Sequence, residues 1–271
     1  MKSLIYLLIG VLAPAITFAA KVDTVLVESA AMRKPVKCVI IRPHSYQKSR
    51  QRLPVVYLLH GYSGNHSDWV KKVPAIKSLA DRDSLMIVCP DGGYGSWYFD
   101  SPVDSSWRYE TFVAKELPAY VDRQYRTIAD RKHRAIAGLS MGGHGALFLA
   151  IRHQNTFGAA GSMSGGVDIR PFPKNWDIAK RLGDSATHAD NWKNYSVATV
   201  AEQLKDGDLQ LNIDCGVKDF FIGVNRALHQ QLLQSGIAHD YTERPGAHNW
   251  QYWENAVVYQ LTFFKRYFAG R

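Results

Sequence analysis

The chain has 271 residues, 46% of them hydrophobic, which is enough for one large domain with a substantial core. Its formal charge is +9, yet the basic residues are scattered, and the densest run, Arg131-Lys132-His133-Arg134, reads as a solvated loop. With no basic stripe interleaved with aromatics, no repeat and no low-complexity block, nucleic-acid binders, solenoids and disordered chains are set aside.

Met1-Lys2 gives a short positive start, residues 4–13 are apolar, and Thr17-Phe18-Ala19 resembles a small-x-small cleavage site. The apolar run is too short for a membrane span. Residues 1–19 therefore read as a bacterial-type signal peptide, leaving a periplasmic or secreted domain over 20–271 with no stable membrane insertion. An N-terminal membrane tether is the competing reading. Cys38, Cys89 and Cys215 lie in apolar runs and read as buried thiols, with one bridge left open. No Cys/His spacing suggests zinc, and no metal or organic cofactor is expected.

Residues 22–29 and 36–42 alternate apolar and polar positions and predict an antiparallel start to a sheet. Residues 55–59, Val-Val-Tyr-Leu-Leu, form a continuous apolar run, as for a strand buried on both faces, and end in His60-Gly61-Tyr62. A helical stretch opens at Asp68 and runs toward Ala80. Residues 85–89 predict another buried strand. Residues 94–107 are rich in Gly, Ser and aromatics and follow that strand's C-terminal end, where ligand crevices form in open α/β sheets. There Trp97, Tyr98 and Trp107 either line a pocket or pack beneath it. Residues 109–125 predict a helix in which Pro118 implies a kink or restart.

Residues 135–147, Ala-Ile-Ala-Gly-Leu-Ser-Met-Gly-Gly-His-Gly-Ala-Leu, organise the rest. A strand-like run ends at Gly138, Ser140 follows, and a helical pattern begins near Gly143. This Gly-x-Ser-x-Gly pattern is that of a nucleophile elbow, whose sharp turn lifts a hydroxyl out of the sheet. Gly138 and Gly142 are required because a Cβ would clash where strand and helix close. The pattern alone also fits an incidental serine in a glycine-rich turn, so its partners matter. Residues 157–164 predict a small-residue strand. Residues 167–208 break the rhythm with Trp176, Trp192 and two prolines, and predict a cap inserted over the site. Residues 209–215 predict a strand, 220–234 a helix, 238–244 a strand and 250–268 a long amphipathic helix. Strand and helix in alternation call for a mostly parallel sheet with helices on both faces.

A serine hydroxyl needs an imidazole to take its proton and a carboxylate to hold that imidazole's tautomer. In an α/β-hydrolase these follow in the order Ser, acid, His. Asp219, in the loop after the 209–215 strand, fits the acid slot better than Asp214, which lies within the strand. His248, just before the last helix, fits the base slot. His239 lies in a strand, His229 on a helix, and His144 is too close to Ser140 in sequence. His60 suits a loop-orienting role, and the amides of Tyr62 and Met141 are the expected oxyanion donors.

Together the segments 55–62, 138–143, 215–219 and 246–250 resemble the esterase D-like family of serine esterases, with its S-formylglutathione hydrolases, tributyrin esterases, feruloyl esterases and mycolyltransferases. The resemblance covers nearly the whole mature chain. It implies an α/β-hydrolase fold with Ser140 as nucleophile, Asp219 as orienting acid and His248 as base. The expected activity is hydrolysis of short acyl esters, or of acetyl or feruloyl esters of polysaccharide, with Trp97, Trp107, Trp176 and Trp192 as substrate-binding candidates. Acyl transfer to a sugar, a glutathione-linked thioesterase and a non-catalytic carbohydrate-binding scaffold are the alternatives. The signal peptide argues against the cytosolic thioesterase, and His60 stands where the mycolyltransferases carry an acidic residue.

Overall fold

The computed structural model describes residues 20–270, so the expected signal peptide, residues 1–19, lies outside the described residues. Eight strands form one sheet: β1 (Lys21–Ser29), β2 (Lys34–Arg42), β3 (Val55–Leu59), β4 (Met86–Pro90), β5 (Arg134–Leu139), β6 (Ala159–Met163), β7 (Gln210–Gly216) and β8 (Asp240–Arg244). Their spatial order is β1-β2-β4-β3-β5-β6-β7-β8. The β1–β2 and β2–β4 pairs are antiparallel and all the others parallel. The chain steps from β3 outward to β4 and then returns to β5 on β3's other side. That reversal opens a crevice at the carboxyl ends of β3 and β5.

Helices cover both faces. In order they are α1 (His44–Lys48), α2 (Asp68–Lys72), α3 (Ile76–Asp83), α4 (Tyr109–Thr111), α5 (Leu117–Gln124), α6 (Met141–Arg152), α7 (Ile178–Leu182), α8 (Ala189–Asn194), α9 (Val197–Val200), α10 (Ile222–Gln234) and α11 (Trp250–Phe268). Successive strand residues feed opposite cores, because side chains alternate across a sheet. Val55, Tyr57 and Leu59 join the core that includes Phe112, Leu117, Phe148 and Leu228. Val56 and Leu58 join the one that includes Trp69, Leu79, Leu261 and Phe264. Burial on both faces explains why the central strands read as unbroken apolar runs.

Two predicted helices are broken. The stretch expected from Asp68 toward Ala80 splits into α2 and α3 around Val73-Pro74, since proline disfavours helical backbone before it and supplies no amide. Between α4 and α5 the chain widens into a π-helical turn, Phe112–Glu116, and Pro118 then sits in the first turn of α5. The segment expected as a cap, residues 167–208, joins β6 to β7 and carries α7, α8 and α9. Cys38, Cys89 and Cys215 are all buried and unbridged. No helix of the described residues is long and apolar enough to cross a membrane.

Candidate active site

Ser140 connects β5 to α6 with φ 54° and ψ −118°, a sparsely populated conformation for a residue with a side chain. The flanking glycines make the turn geometrically feasible. A Cβ on Gly138 would stand 2.4 Å from the Gly142 carbonyl oxygen, and one on Gly142 would stand 2.5 Å from the His60 carbonyl oxygen. The Ser140 amide donates to the Met163 carbonyl at 2.9 Å, which ties the turn to β6.

Residues 108 positions apart in the chain meet at this hydroxyl. His248 Nε2 lies 2.8 Å from Ser140 Oγ, and His248 Nδ1 lies 2.8 Å from Asp219 Oδ2. A carboxylate accepts, so Nδ1 carries the ring proton and Nε2 presents its lone pair to the hydroxyl. Asp219 is buried, and its other oxygen accepts the Phe221 amide at 2.8 Å. The loops carrying acid and histidine are bonded to each other, with the Val217 amide on the Arg244 carbonyl and the Lys218 amide on the Gly246 carbonyl, both at 2.9 Å. Rings hold the imidazole in place: Phe220 at 4.2 Å, Trp253 at 4.9 Å and Phe221 at 5.4 Å between centroids.

Asp214 points elsewhere. Its carboxylate pairs with Arg244 and accepts the Tyr252 hydroxyl. His239 bonds the Ile237 carbonyl and His229, away from the crevice. His144 is fully buried on α6, with Nε2 2.9 Å from the Tyr195 carbonyl oxygen.

The β3 loop approaches the serine closely. A Cβ on Gly61 would come 2.6 Å from the Leu139 side chain and 3.4 Å from the Ser140 Cβ. Beside it, the Ser63 amide is used by the Tyr94 carbonyl and the Gly64 amide by the Gly61 carbonyl, while the Tyr62 amide has no protein acceptor among the described residues. Met141 is the first residue of α6, where amides have no intrahelical acceptor. These two N–H groups are therefore available beside Ser140, one of them at a helix N-terminus that favours negative charge. His60 fixes the loop: Nε2 accepts the Gly92 amide at 2.7 Å and Nδ1 donates to the Gly61 carbonyl at 2.8 Å. Burial lowers its pKa and keeps it neutral.

A cavity of about 400 Å³ opens over Ser140 and His248. Trp176, Phe220, Tyr62, Trp250 and Trp253 line it, together with Asn65 and Lys72. Of the four tryptophans expected to bind substrate, Trp176 alone lines this cavity. Trp97 and Trp192 are buried, with indoles spent on the Trp176 and Gly183 carbonyls. Trp107 packs beneath the Arg181 guanidinium, 3.5 Å from its ring centroid, and belongs to the support. Tyr98 is likewise buried, its hydroxyl on the His60 carbonyl at 3.0 Å. Sequence reasoning missed Phe220, Trp250 and Trp253. Their signal was adjacency, since Phe220 follows Asp219 and the two tryptophans fall within a helical turn or so of His248.

Comparison with known proteins adds to this geometry. A family model described as putative esterase matches residues 29–264. An esterase of Mycobacterium tuberculosis is 28% identical over 248 residues, covering 77% of this chain and 51% of that protein. The chain thus spans about half the length of that relative. An acetyl esterase of Caldicellulosiruptor saccharolyticus is 27% identical over 220 residues, covering 77% of this chain and 82% of that protein. A solved ferulic acid esterase superposes with a TM-score of 0.80 at 31% identity, covering 93% of this chain and 99% of that one.

Proposed function

The chain belongs to the putative esterase family, and from that membership we propose that it is a serine carboxylic-ester hydrolase in which Ser140, His248 and Asp219 form the catalytic triad. The observation that carries the reading is the continuous pair of 2.8 Å contacts from Asp219 through His248 to the hydroxyl of Ser140.

In the proposed mechanism His248 Nε2 accepts the Ser140 proton as Oγ attacks the ester carbonyl carbon. The carbonyl oxygen gains the negative charge, and the Tyr62 and Met141 amides donate to it, each lowering the barrier by about 3 kcal/mol. The tetrahedral species collapses, the bond to the alcohol oxygen breaks, and His248 Nε2 returns its proton to that oxygen. Water then enters, loses a proton to the same nitrogen and attacks the acyl carbon. The acid leaves and Ser140 recovers its proton. Asp219 keeps Nδ1 protonated throughout, so Nε2 faces the reacting atoms in the required state.

The proposed substrates are short acyl esters, or acetyl or feruloyl groups on polysaccharide, with residues 167–208 as the cap that shapes the acyl side. A cavity of about 400 Å³ walled by Trp176 and Phe220 supports a small or planar acyl group. The proposed site of action is outside the cytoplasm. Cleavage after Ala19 would leave the Ala20 nitrogen, 2.8 Å from Asp81 Oδ2, as an ammonium on a carboxylate.

Turnover of p-nitrophenyl acetate, methyl ferulate and acetylated xylan by the purified chain tests the reading. Activity on at least one ester is expected, and Ser140→Ala should reduce it by about a thousandfold or more. A Ser140→Ala protein that keeps most of the activity would refute the assignment.

A further inference from the structure

Trp176 is held in an unusual way. It and Asp177 adopt left-handed backbone conformations in tandem, φ 49° and 55°, and neither is glycine. Such backbone persists only where surrounding contacts enforce it. Two contacts do so. The Trp97 indole donates to the Trp176 carbonyl at 3.1 Å, and the Tyr62 hydroxyl donates to Asp177 Oδ2 at 2.9 Å. Trp97 and Tyr98 are themselves left-handed, φ 55° and 60°, so a second strained pair braces the first.

The result is a defined wall. Trp176 stacks on Phe220 with centroids 5.6 Å apart and planes 17° apart, and Phe220 lies against His248. Gly95 allows the assembly to close: a Cβ there would stand 2.9 Å from the Tyr62 ring and 3.6 Å from the Asp177 Cβ. One hydrogen bond thus joins the loop that carries an expected oxyanion donor to the segment that carries the aromatic wall.

We propose that the Tyr62–Asp177 hydrogen bond is a latch that holds Trp176 against Phe220, and that this latch sets the preference for planar aromatic acyl groups over acetyl. The inference rests on the esterase reading above and deepens it. An acetyl group ends near Ser140 and does not need the stacked rings. A planar aromatic acyl group extends along them, so its affinity depends on their being fixed before it arrives.

The test is a double-mutant cycle on the whole protein, with methyl ferulate and p-nitrophenyl acetate as probes. Tyr62→Phe removes one hydroxyl; Asp177→Gly removes its acceptor while suiting the positive φ. Each change alone should raise KM for methyl ferulate roughly tenfold, and the double variant should be no worse than either single one. Asp177→Gly should hold kcat/KM for p-nitrophenyl acetate within about twofold. Asp177→Asn keeps an acceptor oxygen and tolerates positive φ, so it should restore the methyl ferulate KM. Effects that multiply in the double variant, or equal losses on both esters, overturn the latch. Amide hydrogen exchange over residues 172–183 reads the same bond without turnover, and Tyr62→Phe should accelerate it. If the unaltered protein cleaves neither of these esters nor acetylated xylan, the esterase reading falls, whereas unaccelerated exchange in Tyr62→Phe overturns the latch whatever the turnover.

Discussion

His144 shows how a single side chain near the elbow ties folding to pH. It lies one helical turn beyond Ser140, its amide donating to the Ser140 carbonyl at 3.0 Å, and its ring is enclosed by Trp97, Phe99 and Phe148. A carbonyl only accepts, so Nε2 carries the proton toward Tyr195. Burial lowers the pKa to about 3, against an ordinary value of 6.5. The unfolded chain therefore binds a proton here at a pH where the folded chain does not. The contribution of neutral His144 is complete above about pH 6.5 and is lost as pH falls from there toward 3. His60, also lowered by burial, acts in the same direction. His144→Gln keeps a donor for Tyr195 and removes the titration. Thermal melts between pH 7 and 4.5 should show the variant losing stability less steeply, by up to about 1.4 kcal/mol per pH unit. Parallel curves for the two proteins would show that His144 does not carry this dependence.

Between strands and helices the critical junction is the one joining β7, β8 and α11, because these elements deliver Asp219 and His248. Arg244 at the end of β8 pairs with Asp214 on β7, and Tyr252 on α11 donates to the same buried carboxylate. Arg244→Met leaves that carboxylate without its cation. Urea unfolding should register a loss of about 3 kcal/mol, and adding Asp214→Asn should recover much of it. Unchanged stability in the single variant would mean that solvent already screens the pair. This junction was only half legible in the sequence. The strands β7 and β8 and the loops holding Asp219 and His248 are legible in the sequence, β7 because an almost fully buried strand leaves an unbroken apolar run, whereas the spatial order of the strands is not. The place of Asp214 inside β7 is consistent with its carboxylate pairing with Arg244 and Tyr252 rather than with His248. Those partners are not legible, since Arg244 and Tyr252 reach it only through tertiary packing. Aromatic content and a place after a strand's C-terminal end make Trp97 and Trp107 candidate substrate contacts, and a place in the expected cap makes Trp192 one, but neither signal says which ring faces a cavity. The Tyr62–Asp177 contact spans 115 positions and left no local pattern. Proline was the more dependable guide, since Pro118 marked the restart at α5, while Pro74 explains a break between α2 and α3 that periodicity missed.

At the scale of the molecule, the sheet brings four loops to one edge. The reversal between β3 and β5 opens the crevice, β3 and β5 supply the amides and the hydroxyl, and β7 and β8 lead to the acid and the imidazole. The parallel ladders hold those strand ends in register, and the 2.8 Å contacts at His248 join loops that lie far apart in the sequence. The proposed nucleophile therefore depends on the imidazole for its reactivity. A fluorophosphonate probe, followed by peptide mass spectrometry, measures that dependence without requiring the natural ester. A covalent adduct on Ser140 is expected, with labelling at least about a thousandfold slower in His248→Ala. An adduct on another residue, or His248→Ala labelled at the unaltered rate, would contradict the proposed triad.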